Sequence, residues 1–177
     1  MNYSIGLASL VIAVGSVMAA PAQAAVEVNE VGANATSHCQ GALPAFETAI
    51  RKRPLAVQNE GSTSSFVTCS FSTQYNAGDI NQVGYFGIFF NNTTATAKTV
   101  TCSGVAGFAS NATNVFISKT ATVAGTTPAA PGEGEIFFEP ADNGAQGYYP
   151  LVNVSCNIPP GVGIADTYVG FNVDDAT

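Results

Sequence analysis

The sequence predicts an all-β protein: an antiparallel β-sandwich of jelly-roll or immunoglobulin-like Greek-key type, with about eight strands and one short helix near the N-terminus. Three observations lead there. From Leu55 onward β-branched and aromatic residues follow a period of two. Gly, Pro and Asn interrupt them at intervals close to a strand's length, and no stretch of helical periodicity comes between.

The first residues do not belong to that pattern. An apolar run from Ile5 to Ala20 leads into Pro21-Ala22-Gln23-Ala24-Ala25, which has the small-x-small shape of a signal-peptidase site, although no Lys or Arg precedes it. A signal peptide over 1–24 is expected, and with it a secreted or periplasmic protein. The run falls short of the about 20 residues of a membrane helix, and the longest later uncharged apolar run is Val83 to Phe90, so no transmembrane segment is expected.

Residues 25–37 are small and polar, with Val26 and Val28 in brief alternation, and read as a mobile arm or an edge strand. Residues 38–177 are the size of a single domain with one core. The short helix is placed over Leu43 to Ile50, where Phe46 and Ile50 lie four apart, Pro44 and Glu47 come early, and Pro54 follows.

The expected strands are Leu55 to Gln58, Ser65 to Ser72, Gln82 to Phe90, Lys98 to Ser103, Asn114 to Thr122, Glu135 to Glu139, Leu151 to Asn157 and Asp166 to Val173. In the third, Val83, Tyr85 and Phe89 share one parity while Phe86, Ile88 and Phe90 share the other, which predicts a central strand covered on both faces. In the seventh, Val152, Val154 and Cys156 alternate with Asn153 and Ser155, so one face looks outward and Cys156 points inward. Pro159-Pro160-Gly161 predicts a tight link between the last two strands, and Ala124 to Gly134, with two prolines, reads as a long flexible loop.

Cys39, Cys69, Cys102 and Cys156 contain no CxxC pair, and four cysteines behind a leader favour disulfides over metal or redox chemistry. Of the three possible pairings, Cys39 with Cys69 and Cys102 with Cys156 is favoured, because Val100-Thr-Cys102 and Val154-Ser-Cys156 are similar strand contexts.

Twelve carboxylates against five cations give a net charge of −7, which removes the spread of Lys and Arg that phosphate backbones require and excludes a general nucleic-acid binder. Three of the cations form Arg51-Lys52-Arg53. They are read as closing the dipole at the end of the short helix or as solvated, with an anionic ligand as the alternative.

Candidate sites are sparse. His38 is the single histidine, with no nucleophile signature beside it, so no catalytic residues and no enzyme activity are assigned. Glu133, Glu135, Glu139 and Asp142 form the densest acidic stretch and could offer oxygens to calcium, but without EF-hand spacing; Asp174 and Asp175 are a weaker case. No metal or cofactor is assigned. Paired carboxylates can also hydrolyse glycosides, given the right separation. Tyr148 and Tyr149, beside Pro150, are candidate rings for stacking on sugars. Ligand-binding candidates are thus Tyr148, Tyr149, Glu133, Glu135 and Asp142. Asn34, Asn91, Asn92, Asn111 and Asn153 each begin an Asn-x-Ser/Thr triplet, which matters only in a glycosylating host.

A leader, few cysteines, a polar arm and an Asn/Thr/Gly-rich β-domain together resemble subunits of bacterial surface fibres, including chaperone-assembled pilins. Those subunits end in an alternating apolar strand with a penultimate tyrosine, whereas this chain ends Asn172-Val173-Asp174-Asp175-Ala176-Thr177, and the resemblance implies no site residues. The functional expectation is a non-enzymatic domain with a structural or surface-interaction role, its partner a surface glycan, another protein or itself. The alternative is a carbohydrate- or calcium-dependent binding module. Tyr85-Phe86-Gly87-Ile88-Phe89-Phe90 has the composition of a cross-β segment.

Overall fold

A computed structural model describes residues 27–73, 82–108 and 114–173. The expected leader, Asn111, Asp174 and Asp175 lie outside the described residues. Two antiparallel sheets pack face to face. The larger has the order β3 (Ile50–Arg53), β4 (Ala56–Asn59), β11 (Val162–Val173), β6 (Val83–Asn92), β9 (Gly132–Phe138), with β1 (Glu27–Asn34) lying beside the C-terminal part of β11. The smaller runs β2 (Cys39–Gly41), β5 (Ser65–Ser70), β10 (Val152–Ile158), β7 (Lys98–Ala106), β8 (Val115–Val123). The β-sandwich is therefore as expected, with eleven strands among the described residues rather than about eight.

The three additional strands are the short or edge ones. Glu27–Asn34, within the stretch that read as arm or edge strand, pairs residue for residue with β11. The helix expected over 43–50 is a single turn, α2 (Pro44–Glu47), and Ile50 instead starts β3, where its side chain is buried. The basic triplet consequently lies on a strand at the sheet edge. Arg51 still meets the end of the turn, donating from Nη1 to the Glu47 carbonyl at 3.4 Å and to that of Ile50 at 3.1 Å. A second turn, α1 (Ala35–His38), is capped by Asn34 Oδ1, which accepts from Thr36 N at 3.0 Å.

Both disulfides lie within the smaller sheet. Cys39 bonds Cys69 across β2 and β5, and Cys102 bonds Cys156 across β7 and β10, in each case between residues directly opposite with Cα atoms 4.0 Å apart. All four cysteines are buried, on the parity that β10 alternation assigned to the core. The larger sheet contributes Val57, Phe86, Ile88, Phe90, Phe138, Ile164 and Phe171. Phe86 and Phe138 stack at 4.9 Å, and Tyr148 meets Phe86 edge-on at 5.0 Å.

Two expectations about loops and faces are corrected. Residues 124–131 are held in place: Thr126 N donates to Thr94 O at 2.8 Å, and Thr127 and Ala130 close a turn on each other, while β9 begins already at Gly132. On β6 a register shift between Gly170 and Phe171 of the partner strand turns Val83 into the core, away from the face of Tyr85 and Phe89. Among the described residues no further layer lies over that second face. The link at 159–161 is tight, with Val162 N donating to Pro159 O at 3.1 Å and Gly161 at φ +83°, and it carries the chain from one sheet to the other. No helix among the described residues is long and apolar enough to cross a membrane.

Candidate functional site

The outer face of the larger sheet sets aromatic residues directly opposite glycines. Tyr168 of β11 sits between Gly32 of β1 and Gly87 of β6; Gly87 is opposite Phe137 of β9; Tyr85 of β6 is opposite Gly170 of β11. Each of the three rings leans over the next strand onto a glycine. A Cβ on Gly32 would stand 2.9 Å from Tyr168 Cε1, and one on Gly87 or Gly170 would come closer than 3.0 Å to the ring of Phe137 or Tyr85. Glycine is what lets these rings lie down on the backbone.

Phe89 completes the group one pleat along β6, opposite Asp166 on one side and Glu135 on the other. Its ring stands at 75° to Tyr168, 5.3 Å away, and at 78° to Phe137, 5.4 Å away. Tyr168 is 38% exposed and the other three rings are half-buried, which leaves an apolar surface facing solvent on one side of the sheet. The Tyr85 hydroxyl donates to Glu30 Oε1 of β1 across Gly170. Burial, and then the Glu30 carboxylate, push the phenol up to about 12, so it stays a neutral donor.

From Phe89 a groove of about 440 Å³ runs along the same face, lined by Asn91, Glu133, Glu135 and Asp166, with Pro131 and Ala165 at its sides. The face therefore pairs an apolar platform with a rim of carboxylates and an amide, groups that accept or donate hydrogen bonds in plane.

Of the residues singled out in the sequence, Glu133 and Glu135 line this groove. Tyr148 does not belong to the surface. It is 1% exposed, its hydroxyl donates to Glu139 O at 2.6 Å, and burial followed by the charges of Asp142 and Glu139 raises its pKa to about 12. Tyr149 is half-buried with its ring 6.4 Å from Phe108. Asp142 closes the turn Pro140–Asn143: Oδ2 accepts from Glu139 N at 2.8 Å and from Lys119 Nζ at 2.6 Å. Burial pushes the Asp142 carboxyl up, but these two hydrogen bonds and the Lys119 charge outweigh it and hold the pKa below the usual value. The acidic stretch is thus split between a groove and a turn, and no group of three or more His, Cys, Asp or Glu side chains able to hold a metal ion comes together among the described residues. Asn92 is buried, with its amide donating to Thr96 O and Ala124 O, which takes it away from a glycosylating enzyme.

Phe89, Phe137, Tyr168 and Asp166 were not singled out as site residues. They meet only through the register that sets Tyr168 and Phe137 opposite glycines and Phe89 opposite Asp166, and no local spacing in the sequence encodes that register.

No protein-family model matches the chain, and no curated protein does. Among solved structures it is similar to an exo-β-1,3-galactanase of Phanerochaete chrysosporium solved with galactose, at 12% identity and a TM-score of 0.42, covering 80% of this chain. The chain spans 29% of that enzyme's length. It is also similar to the module TmCBM61 solved with β-1,4-galactotriose, at 13% identity and a TM-score of 0.37, covering 81% of this chain and 88% of that one.

Proposed function

We propose that the protein is a secreted or periplasmic, non-enzymatic domain that binds a neutral glycan on the outer face of its larger sheet, without calcium. The observation behind this reading is the platform of Tyr168, Phe137 and Tyr85 laid on glycines, with Phe89 upright between two of the rings. A pyranose has a C–H face that packs on such rings and a rim of hydroxyls that hydrogen-bond to carboxylates and amides. Glu133, Glu135, Asp166 and Asn91 supply that rim here. The carboxylates and the net charge of −7 repel uronic or sulfated chains, which favours neutral ones. The two disulfides fit an oxidising compartment.

The test is retention on a panel of neutral polysaccharides followed by calorimetric titration with cello-, galacto-, manno- and laminari-oligosaccharides. Wild type retains at least one, and chelation of calcium leaves the affinity unchanged. Tyr168→Ala, at a surface position, weakens it by about tenfold, which is ~1.4 kcal/mol, the upper range for one aromatic contact. Binding to none of the panel, or equal binding by Tyr168→Ala and Phe137→Ala, overturns the reading, as does turnover of any of these chains.

A further inference from the structure

The cross-strand row beyond Phe89 holds something else. Gln58 of β4, Gly163 of β11, Asn91 of β6 and Glu133 of β9 are successive partners on the outer face. Gly163 has no side chain, and the two amides occupy the space over it: a Cβ there would stand 2.5 Å from both Gln58 Oε1 and Asn91 Oδ1. Beside them opens a cavity of about 560 Å³, lined further by Arg53, Asn59, Glu60 and Thr93.

Two polar atoms of this row find no partner among the described residues. Gln58 is 5% exposed, and its Nε2 has no hydrogen-bond acceptor; Asn91 Oδ1 is buried and has no donor. A buried donor or acceptor left unpaired loses its bonds to water without replacement, so native proteins rarely keep one without a use for it. One is a donor and the other an acceptor, on two side chains that line a cavity large enough for a ring-sized molecule. A hydroxyl group satisfies both at once, accepting from Gln58 Nε2 and donating to Asn91 Oδ1. The terminal torsion of a glutamine is soft, so a small swing turns the amide toward the cavity. Arg53 and Glu60, paired at 2.6 Å through Nε and Oε1, stand at the cavity with charges that cancel, which suits a neutral guest.

The cavity and the groove meet at Asn91, which lines both. From the Tyr168 row through Phe89 to the Asn91 row is four residues along β6, about 13 Å, or roughly two to three pyranose rings. The turn between β3 and β4, with Arg53 and Leu55, and the segments at Thr93 and Gly161 bound the far side.

We propose that the cavity beside Gln58 and Asn91 is the terminal subsite of the glycan groove, where these two amides bind the hydroxyls of the last sugar of a neutral chain. This rests on the glycan reading above. The test follows side-chain amide resonances of ¹⁵N-labelled protein while glucose, galactose, mannose and the matching trisaccharides are added. One of the monosaccharides shifts the amides of Gln58 and Asn91, and does so equally in Tyr168→Ala, where the platform is cut. The matching trisaccharide shifts these amides and the residues around Tyr168 together. Gln58→Met, which keeps the side chain's length and removes its donor, loses the monosaccharide response and weakens the trisaccharide several-fold, with unfolding unchanged. Shifts confined to Phe89, Phe137 and Tyr168 overturn the terminal subsite and leave the platform standing. Shifts nowhere, with any of the six sugars, overturn both.

Discussion

The ring of Phe137 covers Gly87 of the neighbouring strand so closely that a methyl group on the glycine would overlap the ring. Gly87→Ala therefore has to lift Phe137, and with it the edge-on contact to Phe89 at 5.4 Å. Overpacking of this kind costs about 1–3 kcal/mol. Gly84→Ala on the same strand is the control, because its Cβ would meet only Gly170 O at 3.7 Å. Denaturant unfolding separates the two, with Gly87→Ala clearly destabilised and Gly84→Ala much less, and glycan affinity falls only in the former. Equal midpoints for both variants count against the packing described.

At alkaline pH the relevant groups are Tyr85 and Tyr148, both raised to about 12, chiefly by burial. A group whose folded pKa lies above its unfolded value near 10 adds stability that is complete below 10 and disappears as pH rises through 12. Unfolding midpoints of wild type are expected to fall over that window. Tyr85→Phe removes part of this dependence and also part of the late step in an ultraviolet titration of the phenols, leaving the share of Tyr148. A Tyr85 that ionises near 10 contradicts the hydrogen bond to Glu30.

Asp142 behaves in the opposite sense. Its folded pKa lies below the ordinary value, so its contribution is present above the unfolded pKa near 3.9 and is lost as pH falls through the folded one. Asp142→Asn keeps the turn's shape but weakens the contact to Lys119. It is less stable than wild type near neutrality by under about 1 kcal/mol, since the pair is partly exposed, and the two converge once acid has protonated Asp142 in the folded state. A gap that persists into acid points to the turn instead of the charge.

The strands of the core were legible because their chemistry is local. β5, β7 and β10 announce themselves by alternation, and the two cystines by their strand contexts. β2 and β3 were not, being three and four residues long and held by partners far along the chain. The face of β6 was misjudged for a more instructive reason. Apolar residues on both parities signal burial on both faces only if a second layer exists, and here Tyr85 and Phe89 are covered by Phe137, Tyr168 and backbone. Tyr148 and Tyr149 attracted attention by adjacency, while Tyr168, the more exposed ring, has no aromatic residue next to it in the sequence.

Stability and aggregation meet in the last prediction. The two disulfides close separations of 54 and 30 residues, and the chain-entropy relation assigns about 4 kcal/mol to the longer and slightly less to the shorter. Against a usual total of 5–15 kcal/mol, losing both leaves a large unfolded population. In the folded state the run Tyr85 to Phe90 is shielded at both strand edges, by β11 and by β9. Reduction releases it as an uncharged aromatic segment able to pair with copies of itself. Reduced wild type is therefore expected to aggregate, and the replacement Cys102→Ala/Cys156→Ala to aggregate faster than Cys39→Ala/Cys69→Ala under the same mild denaturant. Phe89→Lys places a charge within the run without entering the core and slows reduced aggregation, followed by light scattering. Equal rates for reduced Phe89→Lys and reduced wild type would show that some other segment nucleates.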